Sequence, residues 1–192
     1  TTVTAQFKAV ENSLPSFLQI KSPVYFLAWT TTPWTLPSNT ALTVGLKIEY
    51  VLVQSYNQYT FEFTNVILAK ALVTKQFSGK YYEVDNGVEL DSFSKEDKKI
   101  PYFIHSSFKG KDLINIKYEQ LLSYALPYNN PENAFRVIAG DFVTTEDGTG
   151  IVHTAPTFGA DDALVAKQAV PEIPPLLVKD ENDNLVPLVD LQ

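Results

Sequence analysis

The chain has 192 residues, 15 Lys+Arg against 22 Asp+Glu, a formal charge of −7, and neither cysteine nor methionine. That length favours one domain of roughly 100–200 residues, which buries roughly 70% of the unfolded surface and needs no disulfide or metal staple. The missing cysteines exclude disulfides, thiol nucleophiles, Fe–S clusters and Cys-ligated zinc, and two histidines, His105 and His153, are too few for a histidine-rich metal site.

A hydrophobic content of 45% with 19% charged residues is globular rather than disordered. No apolar stretch approaches the ~18–20 residues that span a bilayer, and TTVTAQFKAVENS lacks the order of a signal peptide, so a soluble chain without secretory address is expected. With Thr1 first and no Met anywhere, the expectation is an excised domain. Charge is uneven. Residues 141–192 hold ten acids and two bases, net −8, and residues 1–140 are net +1. Lys95, Lys98, Lys99, Lys109, Lys111 and Lys117 form a basic run that reads either as a solvated face or as a contact for a phosphate backbone.

In chain order, alternation at Val3, Ala5, Phe7 and Ala9 predicts a half-buried strand, and the run Val24–Trp29 a buried one. TTTPWTLPSN, residues 30–39, reads as a structured loop, since Pro33 and Pro37 remove donors and restrict their predecessors. Strands are predicted at Thr40–Val44, Tyr50–Ser55 and Tyr59–Phe63. The stripe Val66, Ile67, Leu68, Ala69, Leu72, Val73, Phe77 predicts a helix of about three turns. Asp85-Asn86-Gly87 and Asp147-Gly148 are turn signals, the second between Phe142–Thr144 and Ile151–His153 as in a hairpin. ADDALVAKQA, residues 160–169, predicts a helix with Asp161 and Asp162 in its first turn, stopped by Pro171, Pro174 and Pro175. Short strands follow at Leu176–Val178 and Leu185–Leu188. The sum is an α+β, β-rich domain with two or three helices.

GxSxG, P-loop, GxGxxG and HExxH motifs are absent. Two segments remain. The first is the hydroxyl cluster Thr30, Thr31, Thr32, Thr35, Ser38 and Asn39 between two prolines, a rigid loop that suits orienting a water and an ester carbonyl, although the same residues serve ordinary turn chemistry. The second, GTGIVHTAPTFGADD (148–162), brings His153, Asp161 and Asp162 to a loop-to-helix junction. Its acids read as helix N-terminal charge or as a clamp for a ligand ammonium. A Ser nucleophile in a triad context is missing, and a metal site would have few ligands.

Together, WTTTPWTLPSN (29–39) and GTGIVHTAPTFGADD (148–162) closely resemble the two signature segments of the isoleucyl-tRNA synthetase editing domain, the insertion called connective polypeptide 1. The likeness spans nearly the whole chain and weakens over residues 55–135. Valyl and leucyl editing domains typically carry Arg-Pro-Glu where this chain has Thr32-Pro33-Trp34, and many relatives have Gly-His where it has Thr157-Phe158. The resemblance implies one editing domain over residues 1–192, with a β-barrel-like core and peripheral helices. It implies hydrolysis of valine mischarged onto the 3′ end of isoleucine tRNA, with valyl-adenylate as a second substrate, water as nucleophile, and neither cofactor nor metal.

It further implies a cytoplasmic monomer unit that acts within a parent synthetase, away from membranes, and does not charge tRNA by itself. Carried onto matching positions, it makes Asp162 the partner of the valyl ammonium and His153 a wall against isoleucine's extra methylene. Thr30, Thr31 and Thr32 would line the reacting ester and terminal ribose, with Trp34 and Asn39 shaping the adenosine side. A non-catalytic aminoacyl-adenosine-binding module and a purely structural insertion are the alternatives.

Overall fold

The structure is a computed structural model that describes residues 1–190. Among the described residues, eleven strands form three sheets. The largest has six, in the order β1 (Val3–Lys8), β2 (Val24–Thr30), β5 (Phe63–Ala69), β4 (Glu49–Tyr56), β7 (Ile100–Lys109) and β6 (Tyr81–Glu83). β2 runs parallel to β5 and β6 parallel to β7, and the other neighbours are antiparallel.

A three-stranded sheet places β3 (Ala41–Val44) between β8 (Arg136–Ala139), parallel to it, and β9 (Ile151–Thr154), antiparallel to it. β10 (Leu177–Lys179) and β11 (Leu185–Pro187) form a separate hairpin. The large sheet stays open, with β1 and β6 as its edges, so the expected barrel-like core is not a closed barrel. Instead β9 lies against β2, and the two sheets enclose the main core of Phe7, Phe26, Leu42, Tyr50, Leu52, Ile67 and Ile151.

The helix expected over residues 66–77 is a strand. Val66, Ile67, Leu68 and Ala69 lie in β5 between β2 and β4, with Ile67 and Ala69 facing the main core and Val66 and Leu68 a second apolar layer with Leu27, Val51, Val53 and Tyr102. A strand buried on both faces loses its alternation and shows a continuous apolar run, which helical spacing fits equally well. Only Val73–Gln76, named α1, makes an α-turn, after a 3₁₀ turn at Lys70–Leu72.

The strand expected at Tyr59–Phe63 is a turn, because Asn57 Oδ1 accepts from the Tyr59 and Thr60 amides and Phe61 takes φ +61°. The Phe142–His153 hairpin does not form either. Residues 142–144 are irregular and β9 pairs with β3, more than a hundred residues earlier. The remaining expectations hold at β1, β2, β3, β4, β10, β11 and α2 (Ala160–Gln168). Val165 and Ala166 of α2 pack with Ala41, Ile138 and Ile173 on the outer side of the three-stranded sheet, opposite the main core. This seats the first turn of α2 beside the end of β9.

Candidate active site

The ends of β2 and β9, the loop after each, and the first turn of α2 converge on a cavity of about 560 Å³, within the range of small-molecule sites. Thr30, Thr31, Thr32, Trp34, His153 and Asp162 all line it, as do Trp29, Thr35, Phe142 and Phe158. Two segments more than a hundred residues apart in sequence are thus brought to one pocket. The antiparallel register that sets Leu42 opposite His153 does it. Asn39 does not line the cavity. At 3% exposure it stands behind His153, bonded to its ring.

The hydroxyl loop is held by its own bonds. Thr30 Oγ1 accepts from the Thr32 amide at 3.0 Å and lies 3.3 Å from Thr32 Oγ1, while Thr35 Oγ1 donates to the Thr32 carbonyl at 2.9 Å. Pro33 opens a 3₁₀ turn over Pro33–Ser38, where its missing N–H leaves no donor unsatisfied. Thr30 is buried at the strand end, Thr31 and Thr32 reach solvent, and Trp34, 66% exposed, stands at the rim.

His153 is 7% exposed and bonded at both ring nitrogens. Nδ1 is 2.8 Å from Asn39 Nδ2 and Nε2 is 2.9 Å from Thr35 Oγ1. Asn39 Nδ2 also donates to the Ala41 carbonyl at 2.9 Å, and a carbonyl only accepts, so the nitrogen of the amide must be on this side. Nδ1 is then an acceptor, Nε2 carries the hydrogen, and Thr35 passes its own hydrogen to the Thr32 carbonyl. Burial holds the imidazole neutral, its pKa pushed down to about 4.

Asp162 is half-buried in the first turn of α2, and its Oδ2 accepts from the Ala155 amide at 2.9 Å. Burial raises its pKa, with the Ala155 amide opposing and Asp161 adding a smaller push upward. None of the ion pairs among the described residues involves it. The cavity lining contains no Lys or Arg, and its one other charge, Asp147, is exposed and paired with Lys75 at 3.2 Å. The cavity is therefore a place for a cationic ligand group.

The floor depends on two glycines. Gly148 and Gly150 take φ of +76° and +75°, and a Cβ on Gly150 would sit 2.5 Å from the Ala69 Cβ. This close approach is locked by the Ala69 amide donating to the Thr149 carbonyl at 2.8 Å and by the Tyr50 hydroxyl donating to the Gly150 carbonyl at 2.6 Å.

Sequence reasoning did not assign Thr35, Phe142, Phe158 or Trp29 to the site. Thr35 carried a signal, as part of the hydroxyl cluster, whereas Phe142 joins only through the tertiary path of residues 140–150. The six lysines of the basic run are all exposed, and none lines the cavity. Among the described residues no group of three or more His, Cys, Asp or Glu could hold a metal ion, and no helix is long and apolar enough to cross a membrane.

The architecture is the fold of aminoacyl-tRNA synthetase editing domains. Solved structures of that class superpose on most of the chain: the P. knowlesi cytosolic leucyl-tRNA synthetase editing domain with a TM-score of 0.63, covering 89% of this chain and 63% of that one at 13% identity, and GlLeuRS-CP1 with a TM-score of 0.58, covering 88% and 59% at 17% identity. Their low identity establishes the fold alone. No family model matches the chain.

In sequence, the chain is similar to a part of isoleucine-tRNA ligases. It is 58% identical over 191 residues to the isoleucine-tRNA ligase of Cytophaga hutchinsonii and 56% identical over 192 residues to that of Bacteroides fragilis, matches that cover 99% and 100% of this chain. The ligase of Clostridium tetani is 44% identical over 144 residues. The chain spans 16% of the length of the first two relatives.

Proposed function

We propose that residues 1–192 form a single editing domain of an isoleucyl-tRNA synthetase, and that this domain hydrolyses the ester joining mischarged valine to the 3′-terminal adenosine of isoleucine tRNA. The observation that carries the proposal is the Asp162 carboxylate, without a cation among the described residues, facing a cavity walled by His153 and a ring of threonine hydroxyls. A carboxylate in that position binds the ammonium of an aminoacyl ester by a charge-assisted bond. His153 then bounds the side-chain end, admitting valine and rejecting the methylene that isoleucine adds.

The physical need is a limit on binding. A pocket made for isoleucine rejects valine by only ~1–3 kcal/mol, and isoleucyl-tRNA synthetase is itself the standing example of that limit. A second, smaller sieve removes what the first admits. Water attacks the ester carbonyl, the carbonyl carbon to ribose oxygen bond breaks, and valine leaves as the free acid while the ribose regains its hydroxyl.

His153 does not serve as the base in this scheme, because both ring nitrogens are engaged and the ring is kept neutral. Catalysis is positioning and electrostatics: Thr30, Thr31 and Thr32 orient the ester and the water, and Asp162 anchors the ammonium. Trp34 takes the adenosine side, a reading supported by its exposure at the cavity rim. Valyl-adenylate offers the same ammonium and side chain and is a second substrate of the same pocket.

The unit works in the cytoplasm, as a monomer within its parent synthetase, which supplies most contacts to the tRNA. The net charge of −8 over residues 141–192 fits this division, since tRNA binding is largely electrostatic. The test is deacylation of valyl-tRNA against isoleucyl-tRNA, both on isoleucine tRNA. Release of valine only, lost in Asp162→Ala, is expected; equal rates in wild type and Asp162→Ala would overturn the proposal.

A further inference from the structure

Tyr118 lies outside the cavity and outside both signature segments, in the irregular stretch before β8. It is 2% exposed, its ring set edge-on against Phe7 at 5.3 Å and Phe135 at 6.1 Å. Its hydroxyl donates to Asn39 Oδ1 at 2.5 Å. A phenylalanine would make the same aromatic contacts, so ring packing gives no reason for a hydroxyl here, and a buried hydroxyl costs free energy unless it is bonded.

The bond it makes has a direction. Asn39 is clamped from two sides by groups of opposite character, the Tyr118 hydroxyl giving a hydrogen to Oδ1 and the Ala41 carbonyl taking one from Nδ2. The second hydrogen of Nδ2 then goes to His153 Nδ1 at 2.8 Å, the Thr154 carbonyl being the more distant acceptor at 3.5 Å. From there the order continues through Nε2 to Thr35 Oγ1 and on to the Thr32 carbonyl, so one chain of bonds runs from a buried tyrosine to the hydroxyl loop.

We infer that Tyr118 is a positioning residue for the site: by holding Asn39 Oδ1 it keeps the Asn39 amide donating to His153 Nδ1, and so fixes the imidazole wall of the cavity in one tautomer and one place. This rests on His153 being the size-excluding wall. Rejection of one methylene depends on where that wall stands to within a fraction of its own contact distance. Without the Tyr118 bond the Asn39 amide is tethered at the Ala41 carbonyl alone, its donation to Nδ1 weakens, and an imidazole then held mainly at Thr35 is freer to turn over and move the wall.

The experiment uses ¹⁵N-histidine-labelled chain at pH 7, together with binding of non-hydrolysable valyl- and isoleucyl-amino-adenosine. Wild type is expected to show His153 as the neutral Nε2–H tautomer, and Tyr118→Phe to show a mixture of tautomers with a preference for the valyl over the isoleucyl analogue reduced about fivefold, the worth of one net hydrogen bond. Lost packing alone would not move the imidazole ¹⁵N shifts. A wild-type Nδ1–H tautomer would overturn the inference without any variant, as would a Tyr118→Phe chain that keeps both the tautomer and the preference.

Should Tyr118→Phe fail to fold, Asn39→Asp is read in its place. A carboxylate only accepts, so Nδ1 must gain a hydrogen, as the neutral Nδ1–H tautomer or as the imidazolium, and an unchanged spectrum refutes the relay. If wild type binds neither analogue, the editing function falls, while the tautomer still decides what Tyr118 does.

Discussion

Asn39 and His153 lie 114 positions apart in sequence, and their side chains meet at 2.8 Å, Nδ2 to Nδ1, inside the protein. The bond joins the end of the first signature segment to the interior of the second, and it explains why an asparagine closes the hydroxyl loop. It also removes His153 from proton-transfer chemistry, because the neutral ring already spends its acceptor on Asn39 and its donor on Thr35.

That arrangement makes the fold acid-sensitive. His153 titrates near 4 when folded against about 6.5 when unfolded, so between those values the unfolded chain binds more protons. The stability that depends on the neutral ring is full above pH 6.5 and declines as pH falls toward 4, by on the order of 3 kcal/mol for a shift of this size. Urea unfolding at pH 7 and pH 4.5 checks it, with the loss expected to shrink in His153→Asn. An NMR titration that finds the imidazole midpoint near 6.5 would contradict it.

Asp162 has the opposite sign. Its folded pKa is raised, chiefly by burial, so its contribution favours the folded chain at low pH and is lost as pH rises through the folded value. Asparagine keeps an oxygen for the Ala155 amide and removes the desolvated charge. Asp162→Asn is therefore expected to match or exceed the wild-type melting temperature at pH 7 while losing affinity for aminoacyl-adenosine. A marked drop in melting temperature would show that the carboxylate is structural.

Gly150→Ala probes the floor. The new methyl meets Ala69 Cβ at 2.5 Å, on a backbone held at φ +75°. Overpacking against a two-face-buried strand with a left-handed backbone is expected to cost about 1–3 kcal/mol. Thermal unfolding reads it, and a loss below about 0.5 kcal/mol would mean that β5 yields more readily than its packing implies.

How much of this was legible in the sequence differs between strand and site. Val3–Lys8 was readable because one face of an edge strand leaves alternation intact, and Ala160–Gln168 because acids open it and prolines follow it. Val66–Ala69 was not, since burial of both faces erases the period that separates strand from helix. The hydroxyl loop and the segment 148–162 stood out as motifs, and the fold brings the threonines, His153 and Asp162 to one cavity. That Asn39 would be buried against His153, and that Tyr118 would reach Asn39, was not legible, because these contacts are set by strand pairing across the fold and by the bridge of Tyr118 to Ala9 rather than by any local pattern.

The most direct measurement is calorimetric titration of the chain with non-hydrolysable valyl-amino-adenosine and, separately, its isoleucyl counterpart, in wild type and Asp162→Ala. Small ligands carry the ammonium, side chain and adenosine without the tRNA body, so they report on the cavity alone. Binding of the valyl compound with exclusion of the isoleucyl one, abolished in Asp162→Ala, is the predicted result. Equal binding of both compounds, or valyl binding that survives Asp162→Ala, would contradict a size-selective pocket anchored on that carboxylate.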